Sequence, residues 1–168
     1  GYYYRCHPMS ILLRSMIQGG ELGDLRYLSG EFMGFKRART DVGVTHTDAI
    51  HFFDLFNWLV GAPPTDCFAV TRDHFGRGME DTSLVIFEYP GKVLAKVESG
   101  YIQPGAWRDK VVPGAFTTKT IYVVGSRATV EVDYETETMT MHDVHHENDG
   151  VTWVACHGGS RILPVETC

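Results

Sequence analysis

The 168-residue sequence predicts an α+β domain, a mostly antiparallel sheet with helices on one face. Three observations predict it. Two helical patterns fall within the first 64 residues. Only strand-like runs follow. Short turns join those runs, which favours antiparallel neighbours over alternating βαβ units. With 43 % apolar and 21 % charged residues, the chain is of globular composition. Its length suits one domain of ~100–200 residues.

The elements follow in order. Tyr2 to Cys6 is a short aromatic run that reads as a strand. Pro8 then opens a helix, since proline is tolerated at the first helical position. Met9, Leu12, Leu13 and Met16 recur at helical spacing, and Gly19–Gly20 supply a left-handed stop. Leu25 to Phe35 reads as a strand after the Gly23–Asp24 turn, and Arg37 to Gly43 as a charged surface loop. Thr45 and Asp48 have the spacing of a capping box at the start of a second helix. Its body, Ala49 to Val60, is apolar almost all round and is expected to be buried almost all round. Gly61 and Pro63–Pro64 end it.

Seven strands are predicted next: Phe68 to Thr71, Ser83 to Tyr89, Val93 to Gly100, Thr118 to Val124, Ala128 to Tyr134, Thr138 to Asp143 and Val151 to Ala155. Val130 and Val132 alternate with Thr129, Glu131 and Asp133, so that strand has one wet face. Ser83 to Phe87 and Ile121 to Val124 are apolar or aromatic almost throughout and are expected to be covered on both sides. Two helices cover only one face of so wide a sheet. The other face is expected to meet a second copy or another domain.

Composition excludes several functions. Fifteen basic against twenty-one acidic residues give a net charge of −6 with no basic run, so no nucleic-acid partner is expected. No stretch approaches ~18 apolar residues, so no membrane span is expected. Cys6, Cys67, Cys156 and Cys168 are dispersed, with no Cys-x-x-Cys pair. They read as reduced thiols of a cytoplasmic protein. The chain begins on Gly1, within an apparent strand, and is expected to be part of a longer protein.

The only Gly-x-Gly, at Gly76–Arg77–Gly78, lacks the third glycine and the strand–turn–helix setting of a dinucleotide fingerprint. His142, Asp143, His145, His146 and Glu147 form a cluster, with Cys156–His157 near it. They read as a strand end and a solvated turn, with no metal expected. No serine or cysteine has a nucleophile context.

The second helix holds the remaining chemistry. Thr47, His51, Asp54 and Trp58 share one stripe at i, i+4, i+7 and i+11, with Asp48 beside it. Buried imidazole and carboxylate need partners. His51 could bond Thr47 or Asp54 locally, as a purely structural feature. It could also serve in acid–base chemistry, because imidazole titrates near neutrality.

Several motifs occur in order: Tyr4-Arg5-Cys6-His7-Pro8, Gly20-Glu21-Leu22-Gly23-Asp24-Leu25, and Ile50-His51-Phe52-Phe53-Asp54-Leu55 running to Trp58-Leu59-Val60-Gly61. Glu80-Asp81-Thr82 and Val123-Val124-Gly125-Ser126 come later. Together they resemble the C-terminal domain of the glucose–fructose oxidoreductase / inositol dehydrogenase / MocA family. The resemblance implies an open, mostly antiparallel sheet that carries substrate contacts and subunit interfaces. It also implies NAD or NADP, bound mainly by a preceding Rossmann domain with a catalytic lysine, both outside this sequence.

On the resemblance, residues 1–168 form a single substrate-binding and oligomerisation domain. The substrate is a carbohydrate-like secondary alcohol: a sugar, cyclitol or nucleotide sugar. The chain on its own is expected to be inactive. The family's histidine maps onto His51 and its following acid onto Asp54. The family commonly carries Asp four residues before the histidine, and Thr47 stands there. Either Asp48 takes that role through a shifted helix start, or the acid is absent and the proton relay is altered. Arg5, Tyr4 and His7 are expected on the substrate side. A non-catalytic binding or oligomerisation module of the same fold is the alternative.

Overall fold

The computed structural model describes residues 1–165; Cys168 lies outside them. Tyr3–Cys6 is a short 3-10 turn rather than the expected strand, because the chain must reverse at once into the first helix while Tyr4 sinks into the core. Helix α1 (Pro8–Gln18) follows, with the His7 side chain accepting a hydrogen bond from the Met9 N–H at its start. It ends in a Schellman arrangement. Gly20 is left-handed, and the N–H groups of Gly20 and Glu21 donate to the carbonyls of Ile17 and Met16.

Strand β1 (Leu25–Phe35) leads to a loop and then to helix α2 (Ile50–Val60). Strands β2 (Asp66–Arg72), β3 (Thr82–Tyr89), β4 (Val93–Gly100), β5 (Trp107–Arg108), β6 (Phe116–Gly125), β7 (Thr129–Asp133), β8 (Thr138–Asn148) and β9 (Trp153–Ile162) complete the chain. One nine-stranded sheet runs β2-β3-β4-β1-β6-β7-β8-β9, with β5 on the edge of β6. All its pairs among the described residues are antiparallel except β1 with β4, which are parallel and joined through α2, β2 and β3. The expected α+β architecture is therefore present.

Both helices lie on the same side of the sheet. Leu28, Phe32, Val85, Ala95, Val97, Ile121, Val123, Val130 and Val132 point toward them and form the core with Leu13, Phe52, Leu55 and Phe56. Helix α2 seats directly on β1 at Gly30, where a Cβ would come within 2.8 Å of the Phe52 ring and 3.1 Å of Phe56. No residue of α2 is fully exposed, yet its outer side is only half-buried.

Two further expectations change. The capping box does not form. Thr45–Ala49 make a π-helical turn with no side-chain cap, and Glu80 reaches across instead to accept the Thr45 N–H at 3.0 Å. The expected histidine-rich turn is strand: β8 continues to Asn148, and the turn falls at 149–152, where Asp149 accepts the N–H groups of Val151 and Thr152. As expected, the helices of this chain cover β3 and β6 on one face only. Leu84, Ile86 and Val124 on the other face are half-buried and Tyr122 is exposed.

Candidate functional site

The polar centre of the molecule lies where the helix-facing surface of the sheet emerges beyond α2. On β1 the inward positions are Leu28, Gly30, Phe32 and Gly34, and the next in that series is Lys36. On β6 Lys119 shares its face with the core residues Ile121 and Val123, and it pairs in register with Phe32. Two lysines are thereby brought to one aromatic ring, with Nζ atoms 5.3 and 5.4 Å from the Phe32 centroid.

Each lysine has a buried acid. Lys36 Nζ lies 3.0 Å from Asp48 Oδ1 and 2.9 Å from Oδ2. Lys119 Nζ lies 3.0 Å from Asp109 Oδ2 and 2.5 Å from Glu135 Oε1, and Thr117 also donates to Glu135. Burial pushes the Asp48 carboxyl up from its ordinary value, against the pull of Lys36. Asp109 goes the other way, to about 2: burial would raise it, but the N–H groups of Val112 and Val111 together with Lys119 outweigh that. Lys119 is held above its ordinary value, its two carboxylates overcoming the effect of burial.

His51 sits beside this array. Its ring meets Tyr3, Tyr4 and Phe32 at centroid distances of 5.2, 5.9 and 6.2 Å. Burial lowers its pKa, which the Asp48 charge opposes, so the imidazole is neutral around pH 7. Its Nδ1 is buried without a hydrogen-bond partner. The local partners weighed from the sequence are engaged elsewhere. Thr47 Oγ1 bonds Tyr101 Oη and the Gly43 carbonyl. Asp54 is gripped by Arg5 through Nη2 and through Nε at 2.6 Å. The π-helical turn winds the start of the helix differently from its body, and neither Thr47 nor Asp48 hydrogen-bonds His51. Such turns recur at functional sites.

A cavity of about 430 Å³ opens next to the array, lined by Lys36, Arg37, Thr47, Asp48 and Tyr101 among others. Thr47 and Asp48 thus face the cavity, while His51 lies one turn further along the helix, within reach of the Asp48 charge. Arg5 and Asp54 form an ion pair further along α2. Tyr4 and His7 hold different positions. Tyr4 is 2 % exposed and backs His51 from within the core, while His7 caps α1 and packs edge-on to Tyr134 at 5.1 Å. Lys36, Lys119, Asp109, Glu135 and Tyr101 were not singled out from the sequence. The two lysines carried a legible signal, since each continues a core-facing alternation as a charged residue.

Nothing among the described residues has the form of a dinucleotide cradle. Gly76 and Gly78 are left-handed turn residues between β2 and β3, with no helix following.

The sequence matches the profile of the GFO/IDH/MocA C-terminal domain over residues 11–131. No curated protein matches it significantly. Among solved structures, UDP-N-acetylglucosamine 3-dehydrogenase GnnA from Acidithiobacillus ferrooxidans superposes with a TM-score of 0.72 at 19 % identity, over 100 % of this chain and 48 % of that one. Levoglucosan dehydrogenase, in complex with NADH and levoglucosan, gives 0.68 at 15 % identity over 95 % and 46 %. An inositol dehydrogenase homolog from Azotobacter vinelandii, complexed with NADH and myo-inositol, gives 0.63 at 18 % over 93 % and 41 %. The chain spans about half the length of these structures. A family profile that covers most of the sequence, on a fold that superposes over nearly its full length, establishes that the chain belongs to the GFO/IDH/MocA family through that family's C-terminal domain.

Proposed function

We propose that the chain is the substrate-binding part of a nicotinamide-dependent oxidoreductase acting on a secondary alcohol of a sugar, cyclitol or nucleotide sugar, alongside a nucleotide-binding domain. The observation that carries this reading is His51. Its Nδ1 is buried and unpartnered while Thr47 and Asp54 are committed elsewhere. A buried polar atom left without a partner costs about 1–3 kcal/mol, and such atoms in a folded protein call for an explanation.

A nicotinamide cofactor, held by the preceding domain, would supply the acceptor for the hydride of the carbinol carbon. The residues of this chain deal with the rest. Neutral His51 takes the hydroxyl proton as the carbonyl forms. The Asp48 carboxylate, fixed by Lys36, favours the imidazolium that results, acting through space rather than by a hydrogen bond. Thr47 and Tyr101, hydrogen-bonded to each other, shape the wall of the cavity, and Arg5–Asp54 steadies α2 against the chain before α1. The levoglucosan and myo-inositol held in those two complexes are polyhydroxylated, which supports the same chemical class here.

The test is His51→Gln in the intact oxidoreductase. It removes titration near neutrality while keeping size. A fall in kcat of roughly 10²-fold or more, the usual range for acid–base catalysis, is expected with an unchanged melting temperature. Turnover within a few-fold of wild type, with a lowered melting temperature, would assign His51 to the core alone.

A further inference from the structure

The β8–β9 ribbon gathers side chains that the site above does not use. Among the described residues, His145, Glu147 and Cys156 bring one ligand atom each to within 4.8 Å of one another. The register explains how. Asp143 pairs with Gly159 but Val144 pairs with His157, so Gly158 is an extra residue on β9. Without that bulge His145 would face His157; with it His145 faces Cys156. Bulges re-aim side chains in this way. Glu147, two residues beyond His145, shares its face by strand periodicity.

The donors are close to a coordinating arrangement. His145 Nε2 lies 3.0 Å from Glu147 Oε1. Two such ligands on one tetrahedral zinc ion, each at ~2.0–2.2 Å, stand about 3.4 Å apart. The Cys156 sulfur makes only a long contact with the Val154 carbonyl, at 3.8 Å, and is free to turn inward. Cys156 is partly buried and Glu147 exposed, so the site is open to solvent on one side. A thiolate, an imidazole and one carboxylate form a borderline-soft donor set. It suits zinc-class ions and not magnesium or calcium, which take oxygen ligands.

We propose that His145, Glu147 and Cys156 bind a divalent zinc-class cation, with water in the fourth position. Binding displaces one proton: the Cys156 thiol loses its hydrogen to solvent as the metal–sulfur bond forms, and the His145–Glu147 contact is replaced by two metal bonds. The site is separate from the His51 cluster and does not depend on the activity proposed for it.

The experiment uses the protein without an affinity tag, in a background where Cys6, Cys67 and Cys168 are serine. Cobalt(II) and zinc(II) are titrated by absorbance and calorimetry. One cobalt ion per chain is expected, with a near-ultraviolet thiolate-to-cobalt band and a proton release that makes the enthalpy buffer-dependent. Cys156→Ser should abolish the band. His145→Gln should weaken binding at least as much as the ~10–100-fold typical of losing a supporting residue of a metal site. His146→Gln and His157→Gln, on the opposite face of the ribbon, should leave it intact. No stoichiometric binding, a band that survives Cys156→Ser, or a loss in His157→Gln equal to that in His145→Gln would each overturn the assignment.

Discussion

At the level of single residues, the centre of the molecule depends on which charges are buried together. Asp109 contributes to stability through a carboxyl held at about 2 in the folded state, against an ordinary 3.8. A depressed carboxylate stabilises the fold above its unfolded pKa, and that contribution fades as pH falls toward the folded value. Stability should therefore decline between about pH 4 and pH 2, and Asp109→Asn should flatten that decline in melting temperature against pH. His51 has the same sign for a different reason. Its folded pKa lies below the ordinary 6.5, so burying it neutral stabilises least in acid. Below pH 6.5, wild type should lose more stability than His51→Gln does. The role given to Asp48 has its own check. In a double-mutant cycle, His51→Gln and Asp48→Asn should be coupled in kcat, whereas His51→Gln and Thr47→Val should be close to additive. That pattern follows from a Coulombic rather than hydrogen-bonded link between His51 and Asp48.

Among elements, the contact of α2 with β1 decides whether His51 is correctly presented. Gly30 leaves no room for a methyl group between the strand and the Phe52 and Phe56 rings. Gly30→Ala should cost about 1–3 kcal/mol by overpacking, read as a lowered melting temperature, and Gly30→Val more. Elements like α1, β1, β4 and α2 were legible because their signals are local: a proline start, glycine stops, and apolar spacing. The π-helical start of α2 was not legible. Its cause is tertiary, with Lys36 drawing Asp48 and Glu80 replacing the cap. Nor was the parallel pairing of β1 with β4, since short-turn reasoning applies only to consecutive strands. The polar run after His142 reads as a turn because its core-facing alternation ends at Met141. Only pairing with β9 keeps it extended. His51 is legible through its stripe on α2, while Lys36 and Lys119 carry no helical signal and continue the core-facing strand alternation of β1 and β6.

At the scale of the whole molecule, the second face of the sheet has no cover among the described residues. The helices occupy one side. On the other, Phe68 pairs with Ile86, Tyr27 with both Leu94 and Val124, and Tyr122 lies further along β6. Phe68 is 63 % exposed, Leu94 40 % and Tyr122 41 %. An apolar surface that crosses several strands is usually an interface in a folded protein. The Lys96–Glu98 pair at 3.6 Å lies on the same face and adds polar groups able to fix register. A second copy of the chain is the simplest cover: closed twofold pairing buries the same patch on both partners. Sedimentation across a tenfold concentration range should give a dimer or a higher assembly. Introducing charge into the patch with Ile86→Glu and Leu94→Glu should shift the population toward monomer while leaving the far-ultraviolet circular dichroism unchanged, because neither residue belongs to the buried core. A wild-type chain that stays monomeric throughout would leave this face to another domain. The same double variant would then remain monomeric without any change in sedimentation.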